Sequence, residues 1–265
     1  MHPFIEFWGI TIPTYGICCV IGLALAMLLL LYTHKKRGLS RQDAYYCAIF
    51  AIIGGFIGAK LMFLIVEIPT IIENPSFLKS AILGGFVFYG GLIGGAAGGA
   101  IYCRKYKLNM LEVTDAYAAP LTLAQAIGRV GCFFAGCCYG MESDSPLAIT
   151  FPGNGLTPGN VSLLPTQLFE SAFLLILTAV LLLILKKNKK PGIVTAWYFI
   201  LYSAWRFFIE FYRNDPRGSV GTLSTSQFIS LILFPIGVAM LIWIYSKKKD
   251  KPAPTSDNDK TTEEK

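Results

Sequence analysis

The sequence predicts an all-α, polytopic membrane protein with seven transmembrane helices, its N-terminus outside and its C-terminus cytoplasmic. Three observations carry that prediction. Apolar runs of about 20 residues, long enough to cross a hydrocarbon core of roughly 30 Å, recur along the chain. Only 15% of the 265 residues are charged, and the mean hydropathy is +0.55. The basic residues that leave a net charge of +7 fall in short clusters between the runs. Counting seven spans puts these clusters on one side, as cytoplasmic loops require.

Taken in order, a short start from Met1 to Pro13 leads into a first span over about Tyr15–Tyr32, which ends at His34, Lys35, Lys36 and Arg37. The second span, about Ala44–Val66, leaves Arg41 inside and exits into an outer connection with Glu67, Pro69, Glu73, Asn74 and Pro75. A third, about Ala81–Tyr102, returns to Arg104, Lys105 and Lys107. The fourth, about Thr114–Phe134, is followed by the longest outer loop, a Gly/Pro/Ser-rich stretch from Met141 to Leu164. The fifth, about Leu168–Leu185, ends at the lysines 186, 187, 189 and 190. The sixth, about Ile193–Tyr212, leads out to Arg213, Asn214, Asp215, Pro216, Arg217 and Gly218, and the seventh, about Phe228–Tyr245, comes back to Lys247, Lys248 and Lys249. This divides the chain into one membrane domain, residues 1–246, and a polar tail, 247–265, expected to be disordered.

The composition excludes a large soluble core, and the placement of the positive charge makes it a topology signal, so no nucleic-acid partner is expected. The start lacks a basic n-region and a small-residue cleavage site, so the first span is expected to remain in place. Seven cysteines occur, most of them inside apolar runs, where a cysteine acts as a small hydrophobe; a disulfide framework is not expected. Small-residue ladders mark the second and third spans: Gly54 with Gly58, then Gly90, Gly94 and Gly98 beside Gly91, Gly95 and Gly99. Glycine at i and i+4 lets helix backbones approach closely in lipid.

Ionisable residues within apolar spans are costly and mark functional sites by default. Arg129 lies near the outer end of the fourth span, and Arg206, Glu210 and Arg213 lie on one face of the outer half of the sixth, at i, i+4 and i+7. Tyr15, Lys60, Tyr89 and Gly90 belong to the same leaflet. A structural reading has Glu210 bridging Arg206 and Arg129. Against it, four basic residues face one acid, with Glu67 near the surface, and such an excess invites an anion. Arginine's planar fork suits a pair of phosphate oxygens, and at the outer face the common anion is a phospholipid headgroup. The cysteines Cys132, Cys137 and Cys138 could be metal ligands, a redox pair, a thiol activated by Arg129, or apolar filler. A zinc site lacks its expected fourth ligand here, because His2 and His34 lie on opposite sides, so no metal site is expected.

The ordered set of motifs resembles the prolipoprotein diacylglyceryl transferases from about Pro13 to Ser230. The resemblance rests on Tyr15-Gly16, Gly58-Ala59-Lys60, Tyr89 to Gly94, Asp115 to Pro120, Gly128-Arg129-Val130-Gly131 and Gly140. It continues through Pro165 to Glu170, Arg206 to Arg213, Leu223-Ser224 and Gln227. It implies an enzyme of the bacterial plasma membrane that moves a diacylglyceryl group from phosphatidylglycerol to the lipobox cysteine of a prolipoprotein signal peptide at the outer leaflet, without metal or organic cofactor. The implied catalytic residues are Arg129, Arg206, Glu210 and Tyr89. Arg129 would hold the headgroup, and Tyr15, Lys60, Gly90, Gly140 and Arg213 would complete the substrate site.

Three positions depart from the family pattern. Tyr89 stands where the family usually has histidine, and Cys132 and Cys137 stand where it has asparagine and glutamate. Tyrosine, with a pKa near 10, is a poor base at neutral pH beside a histidine near 6.5. The thiol proton would then go to Glu210 or water, or to a Tyr89 perturbed by the arginines. Two other readings stay open: an enzyme of the same fold with a different donor or acceptor, and a non-catalytic lipid-binding or transport protein. Transport is disfavoured because the charges gather at one face instead of at the midplane.

Overall fold

The computed structural model describes residues 3–7, 10–151, 153, 157–215 and 218–246. Pro216, Arg217, the Lys247–Lys249 cluster and the tail expected to be disordered lie outside the described residues. Most of the described residues are helical. A hairpin of β1 (Phe4–Phe7) and β2 (Ile10–Pro13) leads into α1 (Thr14–Lys36). Next comes α2 (Arg41–Val66), which starts where the Ser40 side chain accepts the Asp43 amide at 3.0 Å. Two short helices follow, α3 (Ile68–Glu73) and α4 (Phe77–Leu83), then α5 (Phe88–Lys105) and α6 (Met110–Ala135). The stretch after α6 holds a small ladder of β3 (Ile149–Thr150) and β4 (Ser162–Leu163) before α7 (Thr166–Lys187). The chain ends with α8 (Ile193–Ile209), a 3-10 turn over Glu210–Tyr212, the two-residue strands β5 (Ser219–Val220) and β6 (Leu223–Ser224), and α9 (Thr225–Ser246).

Five of these helices, α1, α2, α6, α7 and α9, are long and apolar enough to cross a membrane, and α4 with α5 makes a sixth candidate bent by 53°. The third span expected from the sequence is therefore corrected from one helix into two. The reason is local: Gly85 takes a left-handed φ of +71°, and the chain breaks between Gly84 and Val87. Breaking a helix in an apolar setting exposes carbonyls that need partners. Lys60 provides them, its Nζ donating to the carbonyls of Ala81 (3.0 Å), Gly84 (2.6 Å) and Gly85 (3.1 Å).

The glycine ladders do what small residues do in lipid. α2 packs chiefly against α5, and a Cβ at Gly54 would run into the Gly94 carbonyl, one at Gly58 into the Gly90 carbonyl. The body of the fold is α6, flanked by α1, α7 and α8. Ala118, Ala119 and Ala126 on α6 are buried and let Leu174, Leu177 and Leu181 of α7 pack closely. Thr122 and Thr178 share a hydrogen bond of 2.9 Å inside that contact.

At the Lys36 end of α1, one buried ion pair ties three elements together. Arg37 Nη2 lies 2.8 Å from Asp115 Oδ2, whose carboxylate also accepts the Gly192 and Thr195 amides and the Thr195 hydroxyl, each at 2.8 Å. Asp115 thus occupies the N-terminus of α8, where unpaired amides favour an anion. Arg37 Nη1 donates to the Asn188 carbonyl at 3.1 Å.

Candidate active site

At the opposite end, the sequence-predicted arginines meet around one residue not among the predicted site residues, Glu170. It sits in the second turn of α7, 1% exposed. Its Oε1 is 2.9 Å from Arg129 Nη2; its Oε2 is 3.4 Å from Arg206 Nη1 and 3.7 Å from Arg213 Nη1. Glu210, in the 3-10 turn, pairs with Arg206 at 3.1 Å, one helical turn away. The expected Glu210 bridge between Arg206 and Arg129 is therefore corrected: Glu170 is the bridge, because α7 stands between α6 and α8 while Glu210 lies beyond the end of α8. The signal was present, since Glu170 lies in an apolar run and the rule that singled out Arg129 applies to it equally.

The charge count changes with it. Arg129, Arg206 and Arg213 face Glu170, Glu210 and also Asp215, which takes both Arg213 Nε and Nη2 at 3.2 Å. Among its described residues the site sets three cations against three carboxylates. It offers donors: a guanidinium carries about five N–H groups and a carboxylate about four acceptor positions. Arg129 has a side chain 20% exposed, and phosphate oxygens fit such a surplus in bidentate geometry.

Arg213 is placed by the chain crossing at Gly140. Gly140 pairs with Arg213 in an antiparallel bridge and donates its amide to the Leu164 carbonyl at 2.9 Å, while the Met141 amide reaches the Tyr212 carbonyl at 2.9 Å. A Cβ on Gly140 would lie 2.8 Å from both Leu164 and Thr166, so its role here is close backbone packing. Arg206 Nη2 also donates to Ser226 Oγ of α9 at 2.9 Å.

Two cavities open beside this network. One, of about 370 Å³, is lined by Glu210, Arg213, Asp215, Ser224 and Gln227 among others. The other, of about 310 Å³, lies between Tyr89 of α5 and Gly218, Thr225 and Ser226. Gly218 lines both, and Ser226 links the second to Arg206. Tyr89 thus joins the network across a cavity. Of the remaining predicted residues, Tyr15 packs beside Gly131, Gly90 is pressed against the Gly58 carbonyl and Met62, and Lys60 is occupied by carbonyls at the α4–α5 break. The structure does not bring these three to the arginines.

The family model for prolipoprotein diacylglyceryl transferases matches residues 3–243. The chain belongs to the prolipoprotein diacylglyceryl transferase family. It is 43% identical over 235 residues to phosphatidylglycerol–prolipoprotein diacylglyceryl transferase 2 of Clostridium perfringens, covering 89% of this chain and 92% of the relative. A relative of the same name, without the numeral, from Clostridium tetani is 42% identical over 90% of this chain and 96% of its own length. One from Clostridioides difficile is 35% identical over 92% and 95%.

The chain of this prolipoprotein diacylglyceryl transferase family member reverses just past Arg129. α6 ends at Gly136, whose φ of +74° turns the chain back, and Cys138 is also left-handed at +64°. The sulfurs of Cys132, Cys137 and Cys138 come within 4.8 Å of one another. α7 fastens the turn: Gln167 Nε2 donates to the Cys137 carbonyl at 2.7 Å and Thr166 Oγ1 to the Cys138 carbonyl at 2.9 Å. The Cys137 thiol donates to the Cys132 carbonyl at 3.7 Å. The sequence groups these three cysteines, but their convergence depends on two left-handed residues within three positions.

Proposed function

We propose that this enzyme transfers a diacylglyceryl group from phosphatidylglycerol to the lipobox cysteine thiol of a prolipoprotein, at the outer leaflet of a bacterial plasma membrane. The observation that carries the reading is the convergence of Arg129, Arg206 and Arg213 on Glu170 beside two cavities. The names of the relatives supply the substrates. In this reading α4 with α5 is one broken span, and α8 with its 3-10 turn, 20 residues together, is another. That makes seven spans, with the N-terminus outside by the positive-inside rule.

Arg129 and Arg206 grip the phosphate while the acceptor sulfur attacks the glyceryl carbon bonded to the phosphate ester oxygen. The carbon–oxygen bond breaks and glycerol phosphate leaves with its electron pair. Negative charge grows on the departing phosphate, so cations fixed in advance by Glu170 favour the transition state over the ground state. Both substrates reach the site from lipid, and the cavity between Tyr89 and Ser226 offers a lateral approach.

The test is transfer from phosphatidylglycerol to a lipobox peptide by the purified enzyme, with complementation of a strain depleted of its own transferase. Arg129→Ala should lower kcat/KM by about 100- to 1000-fold, the scale of losing one fixed donor to a developing oxyanion. Full activity in that variant, or no transfer by a well-folded wild type, would refute the reading.

A further inference from the structure

We propose that Cys132, Cys137 and Cys138 hold a zinc ion whose open fourth position binds the acceptor cysteine as a thiolate; the inference rests on the transfer reading above. A zinc–sulfur distance of about 2.3 Å separates the sulfurs of a tetrahedral site by about 3.8 Å. The three sulfurs already lie within 4.8 Å of one another, so a small contraction completes the site. The backbone prepares it. The Cys137 amide bonds back to the Cys132 carbonyl at 3.1 Å, and Gln167 and Thr166 hold the next two carbonyls from α7. A left-handed Cys138 is a conformation few non-glycine residues adopt.

The number of ligands gives the chemistry. Structural zinc sites are closed by four protein ligands, whereas reactive ones use three and keep a position open. Among the described residues no fourth histidine, cysteine or carboxylate joins the three sulfurs. A disulfide would use two of the three thiols and leave one over. Three thiolates on a divalent ion carry one negative charge, and a fourth adds another. Arg129 stands one turn before Cys132 on α6, and the Gly140–Arg213 bridge brings Arg213 to the strand two residues beyond Cys138. Both offset that charge.

Zinc deprotonates a coordinated thiol outright, which supplies what tyrosine at position 89 does poorly. The acceptor thiol loses its proton to water on binding the metal. Its sulfur then forms a bond to the glyceryl carbon as the carbon–oxygen bond to phosphate breaks. The product thioether is neutral and a weaker ligand, so it leaves the metal. No oxidant or reductant enters.

The full-length protein purified in detergent under reducing conditions should contain one zinc per chain, and C132S and C137S should contain almost none. Cobalt exchanged into the wild type should show sulfur-to-cobalt charge-transfer absorption. Its ligand-field bands should shift when a lipobox peptide is added but not with the serine analogue. This readout needs no variant to fold. Chelator-treated enzyme should lose at least tenfold in transfer rate and recover with zinc. The inference is overturned by cobalt binding without thiolate absorption, by a disulfide among the three cysteines in the active enzyme, or by a spectrum blind to the peptide. Metal-free enzyme working at full rate would also overturn it while leaving the transfer reading intact. A peptide-sensitive cobalt spectrum in a protein that transfers nothing from phosphatidylglycerol would leave the thiol-binding zinc site standing and remove the transfer reading.

Discussion

Two buried charge clusters sit at opposite ends of this helix bundle, and they are built differently. At the Lys36 end of α1, Arg37 and Asp115 have side chains 2% and 0% exposed, and the carboxylate accepts two backbone amides and a hydroxyl besides its arginine. That cluster is closed, and its work is to lock the end of α1 and the start of α8 onto α6. At the other end, Glu170 is equally buried but serves three guanidinium groups at once; Arg129 is partly exposed, and Arg213 lines a cavity. The difference teaches that burial of a charge in a membrane protein does not separate a site from a clamp. Whether the donors are used up does.

Glu170→Gln tests the comparison most severely. It removes the charge that holds three arginines, so stability should fall by about 3–5 kcal/mol, as for other buried pairs losing one partner. The transfer rate should drop by about 100-fold or more, the scale of losing fixed electrostatic stabilisation. Thermal unfolding in detergent and a single-turnover transfer assay read the two effects separately. Arg37→Ala should cost a similar ~3–5 kcal/mol by leaving Asp115 buried without its partner. Activity per folded molecule should nevertheless hold. If Arg37→Ala lowered kcat/KM of the folded fraction as Glu170→Gln does, the division into clamp and site would collapse. The smallest effect is expected at Lys60. Lys60→Met should cost about 1–3 kcal/mol, the scale of carbonyls left without their donor. KM for phosphatidylglycerol should not change, whereas a raised KM would return Lys60 to the substrate site.

The cluster around Glu170 was only half legible in the sequence. Arg129, Arg206, Glu210 and Arg213 stand out because charges are rare in apolar runs, and i, i+4, i+7 spacing gives three of them a shared face. Glu170 was passed over because counting acids and bases along separate helices gives no sense of which helix stands between two others. Depth along its span and the resemblance through Gly58-Ala59-Lys60 placed Lys60 at the site, while in the structure it serves the carbonyls at a break in the neighbouring helix. Gly90 shows the converse. Its ladder spacing pointed to helix packing, and the Gly58 carbonyl beside it is that contact.

By itself the sequence determined the helical membrane class, the approximate extents of the long spans, the glycine seam between α2 and α5, and the family. These follow from hydropathy, charge placement and local motifs, which depend on residues near one another in the chain. Tertiary structure alone decided that Glu170 is the hub, that α4 and α5 are bent by 53°, and that three cysteines share one point beyond Arg129. Each of these turns on which helix is whose neighbour or on a few left-handed backbone residues. Pairing across helices and local reversals of direction leave little periodic trace in a sequence.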